Sequence, residues 1–206
     1  MVTVLLCIAV HLALVGMPAC AADPTFTPPS NHPGETAWIP VRHQLQERNL
    51  CVPTSASMIL DYFGDSLSPR EIKALSHGKP YESDTSFNDF SITFFRDLIA
   101  GLARRGYSWR EKDYPPDPGG LQKGLADIKR SLDAGIPVMI DTSPATGGHT
   151  FVIAGYSRRD RVYYAVDPAR AAPGLRLLEA SELAEIWNSQ GVGSNVRAAV
   201  FPKRKR

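Results

Sequence analysis

Cysteine is scarce in this chain: among 206 residues it occurs three times, at positions 7, 20 and 51. So few cysteines exclude a disulfide-stapled scaffold. With no second cysteine close to Cys51 and no paired ligand spacing among His32, His43, His77 and His149, zinc is disfavoured as well. Charge of one sign is also lacking, because 23 Lys and Arg are set against 21 Asp and Glu for a formal net charge of +2. That balance argues against nucleic acid or an anionic lipid surface as a partner. No apolar stretch reaches the ~20 residues that a spanning helix needs, and neither repeats nor low-complexity tracts occur. What is present, 43% hydrophobic and 21% charged residues, suits one globular domain able to bury a core.

Residues 1–22 read as a secretory signal peptide: an uncharged apolar stretch from Val2 to Val15, then Pro18 and the small residues Ala19, Cys20, Ala21 and Ala22. The expected localisation is therefore secreted or periplasmic. Only the amino terminus supplies charge before the apolar stretch, where Lys or Arg is usual. Cys20 admits a second reading as a lipid-attachment site, for which Met17 and Pro18 are poor matches to the usual Leu and small residue. Removal of the signal leaves Cys51 as the one cysteine. Unpaired in an oxidising compartment, it is a buried inert residue, an intermolecular bridge or a reactive thiol.

Residues 23–38 are rich in Pro, Thr, Ser and Asn and read as an extended lead-in. In CVPTSASMILDYF the apolar residues Ala56, Ile59, Leu60 and Phe63 recur with helical spacing and Pro53 suits a first turn, so a helix is expected to run from Cys51 to Phe63 and to stop at Gly64. Ser68 and Glu71 have capping-box spacing for a second helix to about Ser76, ended by Gly78-Lys79-Pro80. A third is expected from about Asp89 to Arg105 and a fourth from about Leu121 to Ala134, ended by Gly135. Then the period changes: PVMID, HTFVIAGY and RVYYAVD are short β-rich runs, the last two forming a hairpin across Ser157 to Asp160. Glu179 to Ser189 reads as a final helix and Val196 to Phe201 as a final strand. Helices first and an antiparallel sheet later predict an α+β domain over 39–202, with the basic residues 203–206 as a solvated tail.

Chemistry concentrates at four positions. A thiolate attacks carbonyl carbon, and both a helix N-terminus and a neighbouring imidazolium favour that ionised form. Cys51 has the first by sequence. His149 in TGGHTFVIAGY is the candidate for the second, because two glycines allow a tight turn and a strand then fixes the residue. A catalytic imidazole also needs an acceptor to hold its ring. Asp167, at the far end of the next strand, lies 167 − 149 = 18 positions on, so a hairpin brings the two together. The side-chain amide of Gln44 suits an oxyanion donor working with the backbone N–H of Cys51, with Gln46 as the competing choice. His32, His43 and His77 lie in loop contexts and read as structural.

Gln44 followed by CVPTSASMIL, GIPVMID, GGHTFVIAGY and VYYAVDPA resembles the papain-like cysteine peptidases related to bacteriocin leader processing, cysteine peptidase family 39 and its stand-alone relatives. The resemblance runs from about Ile39 to Pro202, with an unplaced middle from Gly78 to Gly119. It implies a papain-like fold with Cys51 as nucleophile, His149 as general base, Asp167 as the group orienting the ring and Gln44 as oxyanion donor. The implied partner is a peptide or protein substrate, and no cofactor is required. The ELAEIW segment with Trp187 also looks like a family feature, one of packing. Val52 stands where the family usually has Gly, and Gln44 precedes Cys51 by 51 − 44 = 7 positions. The chain is too short for the transporter to which leader-processing enzymes are fused. Two other uses of the scaffold stay open: a non-catalytic peptide-binding module, and an acyl transferase passing the acyl group to an amine.

Overall fold

The computed structural model describes residues 26–77, 92–142, 148–187 and 196–205. The signal-peptide and lipid-attachment readings, the Gly78-Lys79-Pro80 stop and Gly147 lie outside those residues. So do the expected first residues of the third helix and the last two of the final one.

Helix α1 is Cys51–Tyr62, and nearly all of it is buried: Ala56, Met58, Ile59 and Leu60 have no exposed surface. A helix buried on nearly every side belongs in the centre of a domain, and its polar Thr54, Ser55 and Ser57 are buried with it. α2, Pro69–Ser76, begins with the expected box, in which the Ser68 hydroxyl accepts from the Glu71 N–H and the Glu71 carboxylate accepts from the Ser68 N–H. α3 is Phe95–Ala103, shorter than expected, because Phe94 is extended at ψ 151° and the helix starts after it. α4, Pro118–Asp133, starts three residues before the expected Leu121, since Asp117 caps it through the Gly120 N–H at 2.7 Å and Pro118 fits the first turn. α5 is Ala180–Ile186.

The strands are β1 Thr36–Trp38, β2 Arg110–Tyr114, β3 Val138–Thr142, β4 His149–Ser157, β5 Val162–Val166, β6 Leu175–Glu179 and β7 Arg197–Phe201. They form one sheet in the order β2-β7-β3-β4-β5-β6, with β1 added beside β4, and every pairing is antiparallel. β4 and β5 are the expected hairpin. Along one side of β4, the first half pairs with β3 and the last three residues pair with β1. The extended lead-in is thus corrected at its end: Thr36–Trp38 belongs to the sheet, and Phe26 packs its ring against Trp38 and Tyr164 at 5.0 and 5.3 Å.

Gly155 makes room for β1. A Cβ there would lie 2.4 Å from the carbonyl oxygen of Ala37, 3.2 Å from Cα of Trp38 and 3.0 Å from the Tyr164 ring, and the β1 backbone has no room to yield without moving the strand. Gly155→Ala is expected to cost about 1–3 kcal/mol by displacing β1, read as a lower urea midpoint. An unchanged midpoint would mean that β1 contributes nothing to stability.

The basic tail is exposed over 203–205, as expected, and it also makes contacts. Arg204 is exposed, yet its guanidinium lies over the rings of Phe63 and Tyr62 at 5.2 and 5.5 Å, and the Lys205 ammonium lies 5.1 Å from the Tyr107 centroid. These cation–π contacts dock the end of the chain against α1 and the segment after α3.

Candidate active site

The site forms where α1 meets the start of β4. Cys51 is the first residue of α1, and Leu50 before it supplies no side-chain cap, so the positive end of the helix is not masked by a capping oxygen. Val52 in place of Gly is accommodated within the helix, 5% exposed and part of the core. α1 is fixed to β4 by the Ser55 hydroxyl, which donates to the carbonyl of Thr150 at 3.3 Å, one residue beyond His149. His149 in turn is held by the edge pairing, its carbonyl accepting from the Thr142 hydroxyl at 2.9 Å.

Register then decides which side chains meet. His149, Phe151 and Ile153 point to one face of β4, Ile153 pairs with Ala165, and Ala165 pairs with Arg176. Asp167, two residues beyond Ala165, projects to the same face. The imidazole Nε2 of His149 lies 2.7 Å from Oδ1 of Asp167, and the sulfur of Cys51 lies close enough to the ring to act on its charge. With Nε2 engaged by the carboxylate, Nδ1 is the nitrogen left for the sulfur. Three of the four expected site residues are therefore brought together.

Burial works against charge on the His149 ring, but the hydrogen bond it gives to Asp167, the neighbouring Cys51 and the charge of the Asp167 carboxylate outweigh it and push the ring up to about 9. Burial would raise the Asp167 carboxyl, yet the ring, the Ala169 N–H and the Arg176 guanidinium together hold it below its ordinary value. Below pH ~9 the ring is accordingly a cation between a sulfur and a carboxylate.

Gln44 and Gln46 lie on the loop that leads into α1. The Gln44 N–H donates to the sulfur of Met58 at 3.2 Å, and the Gln46 N–H donates to the carbonyl of Pro168 at 2.8 Å, next to Asp167. The loop thus joins the helix that begins with Cys51 to the turn that carries the carboxylate. Salt bridges Arg42–Asp61 and Glu47–Arg70 tie it to the last turn of α1 and to α2, both solvated and weak singly.

Two neighbours of the site carry no signal in the sequence reading. Arg176 of β6 donates to Oδ2 of Asp167 at 3.3 Å, a contact that exists only because β6 pairs with β5. Asp141 of β3, paired with Thr150 and accepting from its hydroxyl at 3.2 Å, lies near His149, and burial pushes its carboxyl up to about 6. Among the described residues, no group of three or more His, Cys, Asp or Glu could hold a metal, and no helix is long and apolar enough to cross a membrane.

Helices packed on an antiparallel sheet, with cysteine at a helix start, histidine at the start of a strand and aspartate just past the end of the next, make this a papain-like fold. The peptidase domain of Streptococcus ComA, a bi-functional ABC transporter involved in quorum sensing, is similar, with a TM-score of 0.54 at 13% identity over 79% of this chain and 97% of that one. Xylellain, a cysteine protease from Xylella fastidiosa, gives a TM-score of 0.55 at 13% identity over 88% and 91%. A double glycine motif protease from an AMS/PCAT transporter, solved in complex with the leader peptide, gives 0.52 at 15% identity over 82% and 96%. No curated protein matches the chain. Residues 37–194 match the Peptidase_C39 like family, and the chain belongs to it. Family and fold together indicate a cysteine peptidase-like function.

Proposed function

We propose that the protein is an exported cysteine peptidase that cleaves peptide or amide bonds through a thioacyl enzyme. The observation that carries this reading is the placing of Cys51 at the start of α1 beside His149, whose ring is bonded to Asp167. The sulfur of Cys51 attacks as the thiolate, forming a C–S bond. The tetrahedral oxyanion is stabilised by the backbone N–H of Cys51 and the side-chain amide of Gln44. As the C–N bond breaks, His149 gives its proton to the leaving amine. Water then attacks the thioacyl carbon, His149 takes a proton from it, and the C–S bond breaks to release the acid and restore the thiolate beside the imidazolium. Asp167 keeps the ring turned toward the sulfur throughout. A peptide substrate is supported by the leader-peptide complex of the similar double glycine motif protease. Export is supported by the apolar stretch and small residues within 1–22.

The test is iodoacetamide labelling at pH 6 read by mass spectrometry, alongside hydrolysis of a peptide library. Cys51 is expected to alkylate far faster than an ordinary thiol and the library to be cleaved. Slow labelling with no cleavage would overturn the reading, and acyl transfer to an added amine in place of hydrolysis would reassign it.

A pH dependence follows from the ring. Activity is expected to fall as pH rises through about 9, where His149 loses the proton it must give to the leaving amine. Because the folded value lies above the ordinary 6.5, the ring's contribution to stability is complete below pH 6.5 and is lost between there and about 9. A rate profile whose alkaline limb falls near 6.5 would show that the ring is not held as described.

A further inference from the structure

Asp167 is nearly buried, its side chain 5% exposed, and its two oxygens are used differently. Oδ1 accepts from Nε2 of His149 and from the Ala169 N–H at 2.9 Å. Oδ2 accepts from Nη1 of Arg176. The guanidinium is itself held from two further sides: Nη2 donates to the Glu182 carboxylate of α5 at 3.4 Å, and the group lies 5.2 Å from the ring centroid of Phe151, which is fully buried two residues beyond His149. Cys51, the His149 ring, Asp167, Arg176 and Glu182 thus follow one another from α1 to α5.

We propose that Arg176 is a positioning residue of this site, locking the Asp167 carboxylate in the rotation that presents Oδ1 to the His149 ring. The inference rests on the catalytic reading of Cys51 and His149. A carboxylate bonded to the ring through one oxygen alone could turn about its Cβ–Cγ bond and let the ring swing with it. The fork of a guanidinium fixed at three points removes that freedom. Its charge acts as well. Arg176 faces Asp167 and Glu182, while the charged groups around His149 are Cys51, Asp141 and Asp167. Arg176 partly offsets the pull of Asp167 on the ring's proton, so its removal raises the pH at which the ring deprotonates.

A purely structural clip between β6, α5 and β4 would affect stability alone, and this separates the two roles. In Arg176→Gln, kcat is expected to fall about 10- to 100-fold with KM little changed, the scale of a reacting group misplaced by about 1 Å. The alkaline limb of the rate profile should move to higher pH. Arg176→Lys should return the limb toward its original place by restoring charge, while kcat recovers only in part because one ammonium cannot reproduce the fork. The His149 titration, followed by NMR in Arg176→Gln and in the unsubstituted protein, reports the same shift without any substrate. Should Arg176→Gln fail to fold, Glu182→Gln removes the guanidinium's anchor on α5 and is expected to lower kcat by a smaller factor with KM little changed. A His149 titration unmoved in the folded variant, with kcat within twofold, would overturn the proposal while leaving the peptidase reading intact. Conversely, full activity in Cys51→Ala would remove that reading, and the NMR titration would still decide whether Arg176 acts on the ring.

Discussion

Cys51→Ala is expected to lower the rate of peptide hydrolysis by about 10⁵-fold or more, to a residual set by substrate binding and the oxyanion donors. The magnitude follows from the covalent route: without sulfur no thioacyl enzyme forms, and the imidazolium has no nucleophile to serve. The fold should be untouched. Alanine is the best helix former, Cys51 is only partly buried, and its sulfur fills no central cavity. Circular dichroism and urea unfolding should therefore match the unsubstituted protein. Retained turnover would mean that the chemistry lies elsewhere. The loss must also be chemical rather than a loss of binding, so the variant should still bind substrate with comparable affinity, measured by calorimetry.

Trp187→Ala is expected to be the most damaging single change to stability, costing about 3–5 kcal/mol. Trp187 is fully buried, and its indole N–H donates to the carbonyl of Ala198 on β7 at 2.9 Å. Its ring meets Tyr114 of β2 edge to face at 5.7 Å. It also lies against Gly124 of α4 so closely that a Cβ there would come within 2.5 Å of it. One side chain thus joins the end of α5 to α4 and to the β2 and β7 strands. Against a total stability of about 5–15 kcal/mol for a domain, that loss leaves little. Trp187→Phe should separate packing from the hydrogen bond, costing less while leaving the Ala198 carbonyl without its donor. A urea midpoint for Trp187→Ala close to that of the unsubstituted protein would refute the assignment.

The helices and the central hairpin were readable because each is specified locally. α1 announces itself by apolar spacing, α2 by its capping box, and the β4–β5 hairpin by alternating residues around a polar turn. The strands that escaped are those whose partners specify them. β2 reads REKDY, four charged residues and a tyrosine, and is a strand because β7 pairs along its whole length. β1 is three residues long, and β6 leaves Leu177 56% exposed, so neither shows a buried face by its own pattern. The site divides in the same way. Cys51, His149 and Asp167 sit on locally legible elements, and hairpin geometry joins the last two. Arg176 comes from one of the illegible strands, so only the register across three strands brings it to Asp167. The tail shows the limit of reading charge alone: four basic residues suggest solvent, but aromatic rings from distant parts of the chain lie beneath two of them.

The hydrogen bond from Ser55 to the Thr150 carbonyl spans 95 positions of sequence. Contacts of such separation form late in folding, after the entropy of closing a long loop has been overcome. A growing or partly collapsed chain would therefore hold its sulfur apart from its imidazole. On the proposed mechanism, the protein arms itself only by finishing its own tertiary structure, so an unfolded copy cannot cleave its neighbours.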